Sequence, residues 1–434
     1  MALREIGQAA TSRAVLRGES EHHGTGVAQH RDVPSTGIWM GPGKIKNGVL
    51  DAQSAAANVA EQDGRNGYHR PPLSVRPLMK SLDSPALSNL KEVARRIRRS
   101  YFPLQDAAIR IFGHVVRRRS LIRELRPASD PQSNSKLAAV YAHFDRDGLV
   151  ADYVVHQLRE LVDAGFRITF VSNSPTFPEQ NWARVSPFCR NAMWRFNTGY
   201  DFGAYKDGIA LIAELNDLDG LVLMNDSVYG PFWKLRDTLS SIDTSKTDFW
   251  GIADSWEYQH HIQTFFMIFF PTALRTSAFK TFWARLPYVN HKKWVIRNGE
   301  VKLSQVLESA GLRSGVLAPY WSVAKTMKSR ILEMEKRYLP PSERSGFDRF
   351  RSRVLGDRAI NPMQYFWDIL ITDYRCPFIK RELIQSNPAH IPFTSRWPDV
   401  IRSQSDYDVT MIKRHLLGDI PNPRIVPLST TSIN

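Results

Sequence analysis

The 434-residue chain has only two cysteines, Cys189 and Cys376. That excludes a disulfide framework and a four-cysteine zinc site, and it suits a reducing compartment. No run of about 18 apolar residues occurs, so no membrane-spanning helix is expected. The greasiest stretch, Phe265 to Phe270, has the length of a strand. The opening Met-Ala-Leu-Arg-Glu lacks the apolar core of a secretory signal, so a cytoplasmic location is expected. No internal repeat is visible. What is present is ordinary globular usage, 42% hydrophobic and 23% charged. Wholesale disorder, collagen and a coiled-coil rod are thereby excluded, and the length allows two or three domains.

Acidic residues are outnumbered, 43 against 58 Lys and Arg, for a net charge of +15. Most of the excess is local: Lys91 to Arg126 carries eleven basic and three acidic residues, a net +8. So local a charge argues against a nucleic-acid coat and for one basic element touching something anionic. Residues 1–88 are rich in Ala, Gly, Ser, Asn, His and Pro, and are expected to be mostly disordered. Over 89–127, Leu90, Val93, Ile97 and Tyr101, then Leu104, Ala108, Ile111 and Val115, fall at helical spacing on either side of Pro103. Two basic amphipathic helices are expected there. They suit an anionic membrane surface, or equally a solvated face packed on the neighbouring domain.

After a polar linker the rhythm changes. Leu137 to Phe144 reads as a buried strand, Asp147 to Ala164 as a helix and Arg167 to Ser172 as a second strand, which together make a βαβ unit with a right-handed crossover. A helix near Tyr205 to Leu215 and a strand at Gly220 to Met224 continue the pattern. Further strands are expected at Asp248 to Ile252 and Gln263 to Phe270, and a helix at Val301 to Ala310. The chain is thus expected to be α/β, with a doubly wound domain over 136–320, a helical part over 321–390 and an irregular tail over 391–434. Ligands of such sheets bind at the carboxyl ends of the strands.

Three loops at strand ends carry polar groups. Tyr141-Ala-His143-Phe-Asp145-Arg-Asp147 follows the first strand, with a helix cap by Asp147 as its plain structural role. Arg195 to Gly208 holds three glycines, three Asx residues and Lys206 ahead of a helix. It reads either as a tight loop with Asx turns or as a cradle for sugar and ribose hydroxyls. Leu221 to Pro231 is an apolar strand ending abruptly in Asn225-Asp226-Ser227. A carboxylate there is placed either as a cap or to hold a divalent cation against a diphosphate.

In this order the loops resemble the rhamnan synthesis protein F family over about Leu137 to Pro319. The matching segments are Asn197 to Gly208, Met224 to Pro231, Asp248-Phe-Trp-Gly251 and His261 to Phe266. In the C-terminal part they are Asn361-Pro through Trp367, Pro377 to Leu383, and Asn387-Pro388. The order also resembles inverting GT-A rhamnosyltransferases, which implies a GT-A-like mixed sheet flanked by helices. It further implies transfer of a deoxyhexose, rhamnose, from a nucleotide-diphosphate sugar to a growing cell-surface polysaccharide of the O-antigen or lipopolysaccharide kind. The expected donor is dTDP-rhamnose and the expected acceptor a lipid-linked or oligosaccharide chain.

The resemblance makes Glu300 the base and Asp226 the ligand of Mg²⁺ or Mn²⁺, although the usual two-carboxylate metal motif is reduced to Asn225-Asp226-Ser227. Tyr141, His143 and Asn173 are expected around the nucleotide. Asn197, Gly199, Asp201, Lys206, Asp207 and Asn225 are expected around the sugar and diphosphate. Trp250, Asp254 and Gln263 are expected toward the acceptor, with Trp250 equally suited to the core and Asp254 a competing base. A lipid-linked acceptor implies a peripheral position on the inner membrane face. The alternative is a catalytically inactive, transferase-like scaffold in polysaccharide assembly. Nucleic-acid binding rests on charge alone, and no nucleic-acid partner is expected.

Overall fold

A computed structural model describes residues 121–334, 341–356 and 358–418. The region expected to be disordered, 1–88, and the two basic helices ahead of Leu121 lie outside the described residues. A long mixed sheet forms the centre. Its strands are β1 (Ile122–Pro127), β2 (Leu137–His143), β3 (Arg167–Ser172), β4 (Cys189–Arg195), β5 (Gly220–Asn225), β7 (Phe249–Ser255), β9 (Phe266–Phe269) and β10 (Ser314–Ala318). The short β8 (His261–Ile262) pairs with β7, and β6 (Val228–Tyr229) makes a separate ribbon with β11 (Ile379–Lys380). The spatial order is β1-β4-β3-β2-β5-β9-β7-β10.

β2 pairs in parallel with β3 and β5, and β3 with β4. β9 runs antiparallel to both β5 and β7, while β10 is parallel to β7. Six strands therefore end at one rim and β9 begins there. All seven residues of β2, Leu-Ala-Ala-Val-Tyr-Ala-His, are buried, as a strand covered on both faces requires.

Helices cover both faces, so the expected doubly wound α/β architecture is present. One face carries α1 (Asp152–Asp163), α2 (Glu179–Val185) and the C-terminal helices. The other carries α3 (Tyr200–Ile209), α4 (Ser277–Arg285) and α5 (Lys302–Ser309). α3 lies tight on β2, where a Cβ on Gly208 would come 2.3 Å from Val140 Cγ1.

Several boundaries differ from expectation for local reasons. α1 starts at Asp152 because the preceding loop is closed by Asp145, whose Oδ1 accepts from the Asp147 and Leu149 N–H groups at 2.9 Å each. The turn is thus capped by Asp145 and not by Asp147. α3 starts five residues early, on Gly199 at φ +84°, whose N–H donates to Asn290 Oδ1 at 2.9 Å. Ile122–Pro127, at the end of the expected basic helices, is instead strand β1 against β4. The helical part after 321 is present, as α6 (Tyr320–Met334), α7 (Pro341–Leu355) and shorter helices. The tail after 391 is not irregular within the described residues: α8 (Trp397–Gln404) and α9 (Thr410–Leu417) pack Ile401 and Ile412 into the core.

Candidate functional site

The site grows from the end of β5. The Asp226 N–H donates to Ala142 O of β2 at 3.2 Å, which fixes the residue at the rim. Its Oδ2 accepts from the Phe144 N–H at 3.2 Å and from Arg381 Nη1 at 3.1 Å. Arg381 is brought there by the β6–β11 ribbon, in which Lys380 pairs with Val228, and its own N–H donates to Ser227 O at 2.9 Å. The guanidinium also donates to Tyr153 Oη at 2.6 Å and is a fifth exposed.

Glu300 stands on a π-helical turn, Ile296–Val301, that leads into α5. Such turns frequently mark functional sites. Gly299 lets that turn close on α3, since a Cβ there would come 2.9 Å from the Phe202 ring. Glu300 Oε2 accepts from the Thr264 N–H at 3.1 Å and its hydroxyl at 2.7 Å, and Oε1 faces His261 Nε2 at 3.4 Å. Burial pushes this carboxyl up. The bonds from His261 and Thr264, with the positive charge of Lys380, overcome that and hold it at about 2. The same contact raises His261 above its ordinary value against the opposing effect of burial.

Asp201, in the first turn of α3, joins the two ends. Its Oδ2 accepts from Asn225 Nδ2 at 3.0 Å. Burial and the neighbouring Glu300 charge push it up to about 6. Lys380 lies with its Nζ 4.5 Å from the Phe265 ring centroid. Burial lowers its ammonium, and the charges of Glu300 and Asp201 work against that. The Tyr205 hydroxyl, which donates to Thr264 O at 3.0 Å, is pushed up by burial and then by Asp201, Glu300 and Asp226. Asn225, next to Asp226 in the chain, bonds Asp201, and the Arg381 and Glu300 side chains stay about a fifth exposed, so the rim holds these groups in one partly open polar cluster, the crevice.

The other expected residues separate into two groups. Asn225 belongs to the crevice, its Oδ1 accepting from the Ser227 N–H and hydroxyl at 3.1 and 2.6 Å. Asn197 is exposed on the loop before α3, and Gly199 supplies that loop's turn. Gln263 is buried beside the crevice, its Nε2 donating to Asn361 Oδ1 at 3.2 Å. The rest are engaged with other groups of the protein. Tyr141 is fully buried, donates to Gln157 and stacks on Phe170. His143 has one ring nitrogen on Ser172 Oγ and the other on Leu149 O, both at 3.1 Å.

Asp207 is fully buried in an ion pair with Arg195 at 2.7 Å and accepts from Tyr288 Oη at 2.5 Å. Asn173 accepts from Arg195 Nη1 at 2.7 Å and donates to Tyr200 O at 2.9 Å. Lys206 turns away to donate to Leu286 O at 2.5 Å. Trp250 is core. Asp254 Oδ1 accepts from the Tyr320 N–H at 2.6 Å and Oδ2 from Trp256 Nε1 at 3.2 Å, so it anchors the start of α6.

Sequence reasoning gave no role to Lys380, Arg381, His261, Thr264, Tyr153 or Tyr205. Pro377 to Leu383 and His261 to Phe266 were visible as family-like segments, but nothing in them told which strand end they would meet.

The divalent cation implied by the resemblance fits this donor set poorly. Among the described residues no group of three His, Cys, Asp or Glu side chains could hold a metal ion. Asp226 Oδ2 already faces a guanidinium, and Asn225 Oδ1 is taken by Ser227. Arg381 already supplies positive charge beside Asp226, and Lys380 beside Glu300.

Residues 168–332 match the rhamnan synthesis protein F family. The match holds β3 through most of α6, and with them Asp201, Asn225, Asp226, His261 and Glu300, while Lys380 and Arg381 lie beyond it. The chain is 33% identical over 178 residues to an uncharacterized protein, y4gN, of Sinorhizobium fredii, covering 40% of this chain and 46% of that one. It therefore spans less than half of that relative. It is 25% identical over 294 residues to virulence protein VirA of Vibrio anguillarum, covering 65% of this chain and 91% of that one. Among solved structures, the glycosyltransferase GlyE of Streptococcus pneumoniae aligns at a TM-score of 0.33 and 11% identity, over 67% of this chain and 66% of that one. The galactosyltransferase LgtC aligns at 0.28 and 10%, over 64% and 100%. Among the described residues no helix is long and apolar enough to cross a membrane.

Proposed function

We propose that this chain is an inverting glycosyltransferase that moves a deoxyhexose, rhamnose, from a nucleotide-diphosphate donor, dTDP-rhamnose, to a hydroxyl of a growing cell-surface polysaccharide. The observation that carries the proposal is the shared crevice. Asp226 with Arg381 stands at one end and Glu300 with His261 at the other, joined through Asn225 and Asp201; all of these but Arg381 lie in the segment that matches the rhamnan synthesis protein F family.

In the proposed step the acceptor oxygen bonds to the anomeric carbon as the bond from that carbon to the diphosphate oxygen breaks. The electron pair leaves with the nucleoside diphosphate, and the acceptor proton passes to a carboxylate of the Glu300–Asp201 pair. Glu300, ionised at neutral pH, is the proposed acceptor of that proton, and Asp201, raised toward neutrality beside it, is the competing one. Arg381 and Lys380 meet the charge on the departing diphosphate. No step is routed through a metal.

One observation favours the alternative of an inactive, transferase-like scaffold: Asp226 is already neutralised by Arg381. Thermal stabilisation by a panel of nucleotide-diphosphate sugars, with and without Mg²⁺, separates the two. The enzyme is expected to be stabilised by one donor, with free energy rising as the logarithm of its concentration, and to release nucleoside diphosphate on turnover. A scaffold gives no turnover. We also propose that the Lys91 to Arg126 stretch docks the protein on anionic headgroups at the inner membrane face, at about 1 kcal/mol per basic residue near the surface. Co-sedimentation with anionic vesicles, with and without those arginines, tests that.

A further inference from the structure

Trp250, the indole expected at the acceptor side, is core, but two other indoles stand exposed on the same rim. Trp256 follows the end of β7 and is 40% exposed; Trp321 follows the end of β10 and is 58% exposed. β7 and β10 are parallel neighbours, so the chain leaves both at the same edge as Asp226. The two rings lie 5.8 Å apart at 49°. His260 continues the platform, 5.1 Å from Trp256.

Polar groups fix the edges. Trp256 Nε1 donates to Asp254 Oδ2 at 3.2 Å, His260 Nε2 faces the same oxygen at 3.4 Å, and His260 Nδ1 faces Glu308 Oε1 at 2.9 Å. The next residue, His261, is the one that faces Glu300. The platform therefore begins one residue from the crevice, on the side away from β3 and β4.

We infer that Trp256 and Trp321, edged by Asp254, His260 and Glu308, form a carbohydrate subsite that holds a sugar ring of the acceptor. Exposed aromatic surface rimmed by polar groups marks an interaction site. Indole faces suit the C–H face of a pyranose, and fixed carboxylate and imidazole edges suit its hydroxyls. Asp254 and Glu308 oppose an anionic lipid surface. The inference rests on the transferase reading for the word acceptor, not for the subsite itself.

The test uses the full chain, titrated with a rhamnose-containing oligosaccharide and followed by tryptophan fluorescence, with donor-induced thermal stabilisation measured in parallel. Trp321→Ala and Trp256→Ala are each expected to weaken oligosaccharide binding about tenfold and to leave donor stabilisation unchanged. Trp321→Phe is expected to retain most of the binding, which separates a stacking role from misfolding. Oligosaccharide binding that is absent in the parent chain, or equal in parent and both alanine variants, overturns the inference. Retention by anionic vesicles that is lost on Trp321→Ala, with no oligosaccharide binding, also overturns it and makes the platform a membrane contact. Oligosaccharide binding lost with the indoles in a chain that no nucleotide sugar stabilises upholds the subsite and contradicts the transferase reading. Transfer with unaltered acceptor KM in both variants does the reverse.

Discussion

At the β4 end of the rim, Arg195 and Asp207 face each other at 2.7 Å with neither side chain exposed, and Asn173, Tyr288 and Thr198 O take further bonds. At the β5 end, Arg381 and Asp226 face each other at 3.1 Å, with the guanidinium a fifth exposed. Both are arginine–aspartate pairs at the rim; the first takes its aspartate from α3, and the second is linked to α3 through the Asn225–Asp201 bond. The first is closed to any ligand and holds the loop before α3 on the sheet. The second opens onto Asp201, Glu300 and Lys380, three groups whose pKa values are all displaced. Charge at the carboxyl end of a strand does not by itself mark a site; charge that burial perturbs and solvent still reaches does.

The largest effect that would sharpen this contrast is Glu300→Gln. It is expected to lower the transfer rate by roughly 10²–10⁴-fold while donor affinity stays near that of the parent. Asp207→Asn is expected to do the opposite. Leaving Arg195 buried without a charged partner costs roughly 3–5 kcal/mol of stability, read as a lower denaturation midpoint with turnover per folded molecule preserved. If Asp207→Asn is stable and inactive, the two regions have been assigned the wrong way round.

Next in size, Arg381→Met is expected to weaken donor binding about tenfold or more, and a chelator is expected to leave the parent protein's donor affinity unchanged. Donor binding that a chelator abolishes and Mg²⁺ restores would return Asp226 to the role of metal ligand.

Smaller, and specific to pH, is Asp201. Its carboxyl is raised in the fold, so its stabilising contribution is present below its unfolded value near 4 and is lost as pH rises through about 6. Asp201→Asn is expected to raise the melting temperature at pH 7 and to give no gain below pH 4. Glu300 has the opposite sign: its contribution is present above its ordinary value of 4.5 and is lost only as pH falls toward 2. An acid limb of activity near pH 6 that disappears in Asp201→Asn, while residual turnover survives, assigns proton acceptance to Asp201. A limb that persists unshifted removes Asp201 from that role and points to His261.

The sheet was legible where the chain is apolar for a reason. Leu137 to Phe144, Arg167 to Ser172 and Gly220 to Met224 are buried on both faces, and uninterrupted apolar runs are what such strands require. β10, Ser314–Ala318, was missed because it is only partly buried, and β11 because it is two residues long and exists only through its pairing with β6. The loop ending in Asn225-Asp226 was legible from the abrupt polar break after an apolar strand. Its partners were not. Arg381 reaches Asp226 from 155 residues away in sequence, with Lys380 just before it at the end of β11, and no local pattern reports a contact of that range. Glu300 was reachable only through family resemblance, since a π turn held by Gly299 against Phe202 has no sequence period of its own. The burial of Tyr141, His143 and Asp207 was not legible for a shared reason: they sit at or near strand ends and helix starts, and composition does not say which of these are sealed.

Calorimetric titration of dTDP-rhamnose into the parent protein, Glu300→Gln and Arg381→Met, all in the presence of a chelator, addresses the crevice directly. Tight binding to the parent, equal binding to Glu300→Gln and a loss of about tenfold or more in Arg381→Met is the predicted pattern. Equal affinity in all three proteins, or none in any, would contradict a site in which Asp226, Arg381 and Glu300 hold one nucleotide sugar.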